Sequence, residues 1–381
     1  MGDMVIRAYK TELDPTNAQR TTMERFAWVR MAVFNTGLRE WQRLHDAGEK
    51  TKANDIKTRF VADKNAGLFV WAQGAPSALV EAAFRDLDAA FQNFFRRDKA
   101  GEKPGYPKLK RWPQGFSLRN TRVERDRVRL THIGWVRLKE AGYIPETATG
   151  KAFGTYATLS KRAGRWFISV LVKEEGPQLA DPHPTVIGVD FGVKALATCS
   201  NGKVFDNPSP LRDAQRKLGR LGRELARRRK GGKNWNKTKA SLQKQHKRVA
   251  DLRSKTLHEV SHYLTYETQP AVLVIEDLNV RGMLSNHSLA QAITDVGFGE
   301  LRRQIEYKAK WLGIEVVLAD RWFPSSKTCH RCGAVRADLT LGDRLFVCND
   351  CGSTLDRDLN AALNLAALGR NRQAGGDCLG S

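Results

Sequence analysis

Four cysteines near the end of this 381-residue chain, Cys329, Cys332, Cys348 and Cys351, form two Cys-x-x-Cys pairs separated by fifteen residues. That spacing can present four thiolates to one tetrahedral zinc ion, and four protein ligands leave such an ion no open position, so its expected role is structural. Directly downstream, Leu355-Asp356-Arg357-Asp358-Leu359-Asn360-Ala361-Ala362 sets acids at the head of an apolar helix. A zinc ribbon just ahead of an acidic helix start points to a metal-dependent nuclease, provided two further carboxylates lie at strand ends upstream. They do: Asp190 closes Val186-Ile187-Gly188-Val189-Asp190, and Glu276 closes Val272-Leu273-Val274-Ile275-Glu276. One acid at a strand exit is ordinarily a solvated group. Asp190, Glu276 and Asp358 together are what phosphodiester hydrolysis with two divalent ions needs, carboxylates gathered from separate elements.

Composition supports a polyanionic partner. Against 41 Asp and Glu stand 64 Lys and Arg, a formal charge of +23, and such an excess is the electrostatic footprint of nucleic-acid binding. It is uneven: from Arg212 to Lys255 there are 17 basic residues and three acids, Asp213, Glu224 and Asp251. Leu218, Leu221 and Leu225 keep a helical stripe, Gly231-Gly232 breaks it, and Leu242, Val249 and Leu252 resume it. Most charge runs are solvated faces. Arg227, Arg228, Arg229 and Lys230 beside the glycine break, in a chain this basic, favour contact with an RNA or DNA backbone.

Other classes are constrained by what is missing. No window approaches the apolar length of a membrane span, the N-terminus has no signal-peptide core, and there is no phosphate-binding GxxxxGK[ST] loop. With four cysteines assigned to the ribbon, Cys199 and Cys378 remain, so disulfides are not expected and the protein is placed in a reducing compartment, the cytoplasm, in association with the nucleoid.

The elements that must position these residues can be read from periodicity. Val5–Lys10 reads as a strand, and Asp14-Pro15-Thr16 caps a long helix with Phe26, Val29, Val33 and Phe34 on its apolar side. A further helix carries Phe84, Leu87, Phe91, Phe94 and Phe95, better read as core than as base-stacking platforms. Beyond the basic, turn-rich Lys103–Trp112, short alternating strands at 116–119, 128–130, 136–138, 155–159 and 166–172 suggest a small antiparallel barrel. A linker at 175–184 leads to strands at 186–190, 195–199, 272–276 and 314–319 alternating with helices, including 298–312. That is the α/β order of a mixed sheet flanked by helices.

At this point the motifs resemble a known family. Gly188-Val189-Asp190-Phe191-Gly192-Val193-Lys194, Ile275-Glu276-Asp277-Leu278, Phe323-Pro324-Ser325-Ser326-Lys327-Thr328-Cys329 and Asp356-Arg357-Asp358-Leu359-Asn360-Ala361-Ala362 resemble TnpB, the RNA-guided nuclease of insertion sequences and ancestor of type V CRISPR effectors. The likeness spans nearly the whole chain and is most specific toward its C-terminus. It implies a RuvC-like, RNase H-type nuclease domain at 185–325 and 354–368, with a zinc ribbon inserted at 326–353. It implies an N-terminal wedge-like β-barrel at 1–10 and 103–180, interrupted by a helical recognition module at 11–102. Residues 369–381 are expected as a disordered tail.

The resemblance also implies two catalytic Mg²⁺ ions, bridged by Asp190 and completed by Glu276 and Asp358, and one structural zinc. The family pattern selects Asp358 over Asp356 by its place ahead of x-Asn-Ala-Ala. The implied partners are a guide RNA from the transposon end and target double-stranded DNA, with the protein acting as a monomer on its RNA and reading only a short motif beside the target. Two alternatives stay open: an RNA-guided repressor that binds without cutting, against which the intact acid set argues, and a strand-joining transposase. For the latter the chain offers no tyrosine-nucleophile motif and no separate end-binding helix-turn-helix.

Overall fold

Arg165–Glu175 alternates so that Trp166, Ile168, Val170 and Val172 are buried, the period-two signature of a strand with one face on the core. In the computed structural model, which describes residues 4–113, 115–146, 152–176, 183–285, 287–340 and 342–373, this strand belongs to a unit formed by residues 4–175. Its elements are β1 (Met4–Asp14), α1 (Asn17–Asp46), α2 (Ala53–Asn65), α3 (Ser77–Lys99), β2 (Gly115–Leu118), β3 (Arg122–Val123), β4 (Arg127–Leu130), β5 (Gly134–Leu138), β6 (Ala152–Arg162) and β7 (Arg165–Glu175). Helix α1 opens with a capping box: the Thr16 hydroxyl accepts from the Gln19 N–H and the Gln19 side chain accepts from the Thr16 N–H. Phe26, Val29 and Val33 of α1 and Phe84, Leu87 and Phe91 of α3 share one core with the buried face of the sheet. Phe95, expected in that core, is 47% exposed near the end of α3, where its ring packs against Phe91 and Phe94.

The strands pair in the order β2-β6-β7-β1-β5-β4-β3. The expected barrel is therefore an open antiparallel sheet: among the described residues nothing pairs β2 with β3. Closure requires the end strands to offer each other a free backbone edge. Strand β3 is two residues long and gives its pairing to β4.

The second unit, residues 176–381, runs β8 (His183–Phe191), β9 (Ala195–Cys199), β10 (Val204–Asp206), α4 (Pro210–Arg227), α5 (Lys233–His262), β11 (Pro270–Glu276), α6 (Val280–Ser285), α7 (His287–Val296), α8 (Phe298–Trp311), β12 (Glu315–Ala319), β13 (Leu345–Val347), β14 (Thr354–Asp356) and α9 (Arg357–Gln373). Five strands form a mixed sheet, β10-β9-β8-β11-β12, in which β8, β11 and β12 pair in parallel and β9 pairs antiparallel with both β8 and β10. The continuous apolar run of β11 is buried on both faces, as parallel strands require: Leu273 and Ile275 pack among Leu257, Leu301 and Ile305 of α5 and α8, while Val272 and Val274 pack with Leu365 of α9. Helix α9 continues to Gln373, into the segment expected to be a tail, since its last described turns still carry the helical pattern. Residues 374–381, with Cys378, lie outside the described residues, as does most of the expected linker. Among the described residues no helix is long and apolar enough to cross a membrane.

Candidate active site

Side chains alternate across a strand, and that alternation decides where the acids point. In β8, Ile187 and Val189 join the core shared with α5 and α8, so Val186, Gly188 and Asp190 face the other way, toward α9. Gly188 is required there. A Cβ at that position would stand 2.2 Å from the Ala362 carbonyl oxygen and 2.4 Å from the Ala366 nitrogen. Gly369 answers it further along the helix, where a Cβ would meet Val186 and Val274 at 2.6 Å. These two glycines let α9 lie directly on β8 and β11, running opposite to them, so that its first turn reaches the strand ends. Ile275 pairs with Val189 in parallel register, which puts Glu276 beside Asp190, both under the head of α9 where Asp358 sits.

Asp190, Glu276 and Asp358 line one cavity of about 870 Å³, together with Arg212, Arg344 and Arg357. Burial pushes the Asp190 carboxyl well above the usual carboxylate range, and the charges of Glu276 and Asp358 push it further. Burial also raises Glu276, partly offset by the Ser325 hydroxyl, which donates to Glu276 Oε1 at 2.8 Å. Asp358 is held by the Arg357 guanidinium at 3.0 Å. Arg357 offsets only part of the negative charge that three half-buried carboxylates gather here, and divalent cations are the partner such oxygens select. The donor set therefore fits Mg²⁺.

Other acids nearby are already used. Asp356 Oδ1 accepts the backbone N–H groups of Asp358 and Leu359 at 2.9 and 3.1 Å, so it is the N-terminal cap of α9. Asp277 is gripped by Arg302 and Arg321. Asp295, which also lines the cavity, accepts from the backbone of Leu211 and Arg212 and pairs with Arg253, pinning the start of α4.

The four cysteines converge. The ligand atoms of Cys329, Cys332, Cys348 and Cys351 lie within 4.8 Å of one another, and the Cys329–Cys351 and Cys332–Cys348 sulfurs are 3.7 and 3.5 Å apart. Zinc–sulfur bonds of about 2.3 Å put tetrahedral sulfurs about 3.8 Å apart, so the set fits one zinc. The two knuckles mirror each other: Cys329 N–H donates to Ala334 and Cys348 N–H to Ser353, both at 2.8 Å. Within the Cys332–Cys348 pair, the backbone N–H groups of Cys351 and Asp350 bring the Cys348 thiol down to about 7, whereas the Cys332 thiol, despite the Ala334 backbone, is pushed up to about 12 by the sulfur of Cys348. Cys199 is buried in β9 and its thiol is pushed up to about 12.

The basic run sits on the turn between α4 and α5, and its members differ. Arg228 folds inward: its guanidinium pairs with Glu224 and donates to the Asn234 carbonyl and the Thr238 hydroxyl, both at 2.6 Å. Arg227, Arg229 and Lys230 are exposed. Sequence reasoning grouped all four because adjacency in the chain carries no information about which side chain turns in. It also read Ser325 and Asn360 only as parts of motifs, although both are tied to the site.

The same architecture occurs elsewhere. The solved complex of Cas12f1 with its single guide RNA and target DNA has a chain that superposes on 95% of this one, covering 99% of its own length, with a TM-score of 0.54 at 12% identity. The class defined by the mixed sheets and helices is thus the Cas12-like fold. Within it, the chain belongs to the TnpB family of insertion-sequence RNA-guided DNA endonucleases. It is 35% identical to a Streptomyces pristinaespiralis protein provisionally named an RNA-guided DNA endonuclease, over 99% of this chain and 92% of the relative, and 31% identical to Escherichia coli K12 InsQ, which carries the same provisional name, over 99% and 95%. Family profiles match at residues 167–287 ("Probable transposase", OrfB_IS605), 298–365 ("Cas12f1-like, TNB domain") and 1–50 ("Helix-turn-helix domain"). Despite that last description, the described residues up to 50 hold strand β1 and the single 30-residue helix α1.

Proposed function

We propose that this chain cuts DNA at the Asp190–Glu276–Asp358 cavity, in a RuvC-like domain, at a site chosen by pairing between a guide RNA from the transposon end and target double-stranded DNA. The observation that carries the reading is the convergence of three carboxylates from three elements on one cavity, with Asp190 held where it resists ionising alone. Asp190, Glu276 and Asp358 would together hold two Mg²⁺ ions, Asp190 lying within the field of both other acids. When bound, the ions supply an activated water and stabilise the leaving 3′-oxygen. The chain's own part is positional. Asp356 holds the helix end that presents Asp358, and Arg212 and Arg344 line the cavity with charge suited to phosphate. One zinc on the four cysteines would stiffen the ribbon that follows Ser325.

The guide would supply sequence discrimination, and the protein would read a short flanking motif and hold the heteroduplex by shape and charge. Arg227, Arg229 and Lys230 are proposed to touch the nucleic-acid backbone, with one protein chain acting on one RNA, at the nucleoid in the cytoplasm. The test is to purify the protein with the RNA it retains, sequence that RNA, and assay DNA carrying the matching target. Guide-dependent cutting in Mg²⁺ that stops in chelator supports the reading. Retained RNA with binding but no cutting would replace it by the non-cutting repressor.

A further inference from the structure

A hydrogen-bonded chain joins the cysteine cluster to the catalytic pocket, and it runs through residues that hold no ion. Ser325, only 5% exposed, donates its hydroxyl to Glu276 Oε1 at 2.8 Å. Its own carbonyl accepts from the Asn364 amide at 2.7 Å, and the same amide donates to the Thr328 carbonyl at 2.6 Å. Asn360, one turn earlier on α9 and fully buried, donates to that Thr328 carbonyl at 2.7 Å and accepts the His330 N–H at 3.1 Å. The two amides thus hold the residues on both sides of Cys329. Helix α9 carries Asp358 at its head and, within the next two turns, the groups that fix the loop orienting Glu276.

Resting on the reading of the cavity as a divalent-ion site, we infer that Ser325 is a positioning residue for Glu276, and that Asn364 and Asn360 set Ser325 from the same helix that presents Asp358. A glutamate has three rotatable side-chain bonds, so a Glu276 at a strand end can swing its carboxylate away from the ion. The Ser325 hydroxyl selects one orientation and occupies one oxygen, leaving the rest of the carboxylate to the cavity. Backbone anchoring by Asn364 explains why a serine on a loop can do this: the loop has little freedom of its own. Partners that orient a metal ligand in this way typically change metal affinity or activity about 10- to 100-fold when removed.

The experiment uses the full chain with its retained RNA and four proteins: wild type, Ser325→Ala, Ser325→Thr and Asn364→Ala. Mn²⁺ is the probe, with affinity read by electron paramagnetic resonance independently of cutting; zinc content, melting temperature and the kcat and KM for target DNA are measured beside it. Ser325→Ala should keep wild-type zinc and KM, lose about 10- to 100-fold in Mn²⁺ affinity, and recover kcat as the ion concentration is raised. Ser325→Thr, which restores the hydroxyl, should return toward wild type, and Asn364→Ala should move with Ser325→Ala. Wild-type Mn²⁺ affinity in Ser325→Ala overturns the inference, as does a loss that Ser325→Thr shares in full. Wild-type protein that binds Mn²⁺ but fails to cut would count against the nuclease reading alone, since the affinity comparison between variants stands without turnover.

Discussion

The carboxylate cavity and the α4–α5 turn each gather like charges, yet they are built in opposite ways. In the cavity the acids come from β8, β11 and α9 and are half-buried; burial and the charges of Glu276 and Asp358 raise the proton affinity of Asp190, and burial and the charge of Asp358 raise that of Glu276. On the turn, four cations are consecutive in the chain; one is folded inward onto Glu224 and three stand in solvent. Repulsion between exposed charges is weak and screened by salt, so the turn tolerates its charges whether or not anything binds them. Repulsion between buried carboxylates works against folding and is retained where a ligand offsets it. Burial of like charge is therefore the more specific signal, and each side chain in the cavity should matter individually, whereas those on the turn should matter in sum.

The largest effect expected is loss of cutting in Asp190→Ala, by about a thousandfold or more, the kinetic equivalent of the several kcal/mol an ion pair supplies to the transition state. Target binding should stay near wild type, because phosphate contacts are spread over many cations. Asp358→Ala should match it, and Asp356→Ala should not. Losing the α9 cap costs about 0.5–2 kcal/mol of stability and should leave cutting within a few-fold of wild type at a temperature where the protein is folded. Equal losses in Asp356→Ala and Asp358→Ala would undo the assignment of one acid to capping and the other to chemistry.

The ribbon comes next. Cys348→Ser or Cys351→Ser should release zinc and loosen the local fold, since such sites fold with their metal, and metal analysis of wild-type protein should give about one zinc per chain. Protein that cuts normally without zinc would show that the cysteines serve something else.

The raised carboxyl of Asp190 makes a smaller prediction with a definite sign. Above the ordinary aspartate range the unfolded chain has lost this proton while the folded chain keeps it, so in ion-free buffer stability should fall as pH rises toward the folded-state value. Asp190→Asn should flatten that slope and leave the ion-free protein more stable than wild type at neutral pH, although inactive. Melting curves over a pH series, with and without Mg²⁺, test this; a wild-type stability that rises with pH without ions would remove Asp190 from the buried cluster.

The smallest effects per residue belong to the turn. Changing Arg227, Arg229 and Lys230 to Ala should lower the logarithmic salt slope of RNA or target binding by about 0.7 to 0.9 for each phosphate no longer neutralised, without altering the preferred flanking motif. Arg228→Ala should act differently, reducing protection of the α4–α5 turn from hydrogen exchange by about 1–3 kcal/mol for the hydrogen bonds it breaks, with little change in salt slope. If Arg228→Ala instead changes the salt slope as the others do, the distinction between the inward and outward arginines fails.

What the amino-acid sequence determined by itself was whatever is written in short segments. Two Cys-x-x-Cys pairs bring four ligands together once each knuckle turns, and a continuous apolar run such as Val272–Ile275 announces a strand covered on both sides. An acid at the end of each such run is visible without coordinates. The tertiary structure decided what depends on residues far apart in the chain. Gly188 makes room for Ala362 and Ala366, and only that approach brings Asp358 over Asp190. Asp356 and Asp358 are equivalent in composition and two residues apart in sequence; the backbone path into α9 gives one to the helix end and the other to the cavity. Arg228 was separated from its neighbours by the reach of Glu224 and Thr238, and the N-terminal sheet stayed open because its last strand had too little edge to close it. Periodicity and ligand spacing are local properties, whereas the direction a side chain faces is set by whatever the rest of the chain packs against it.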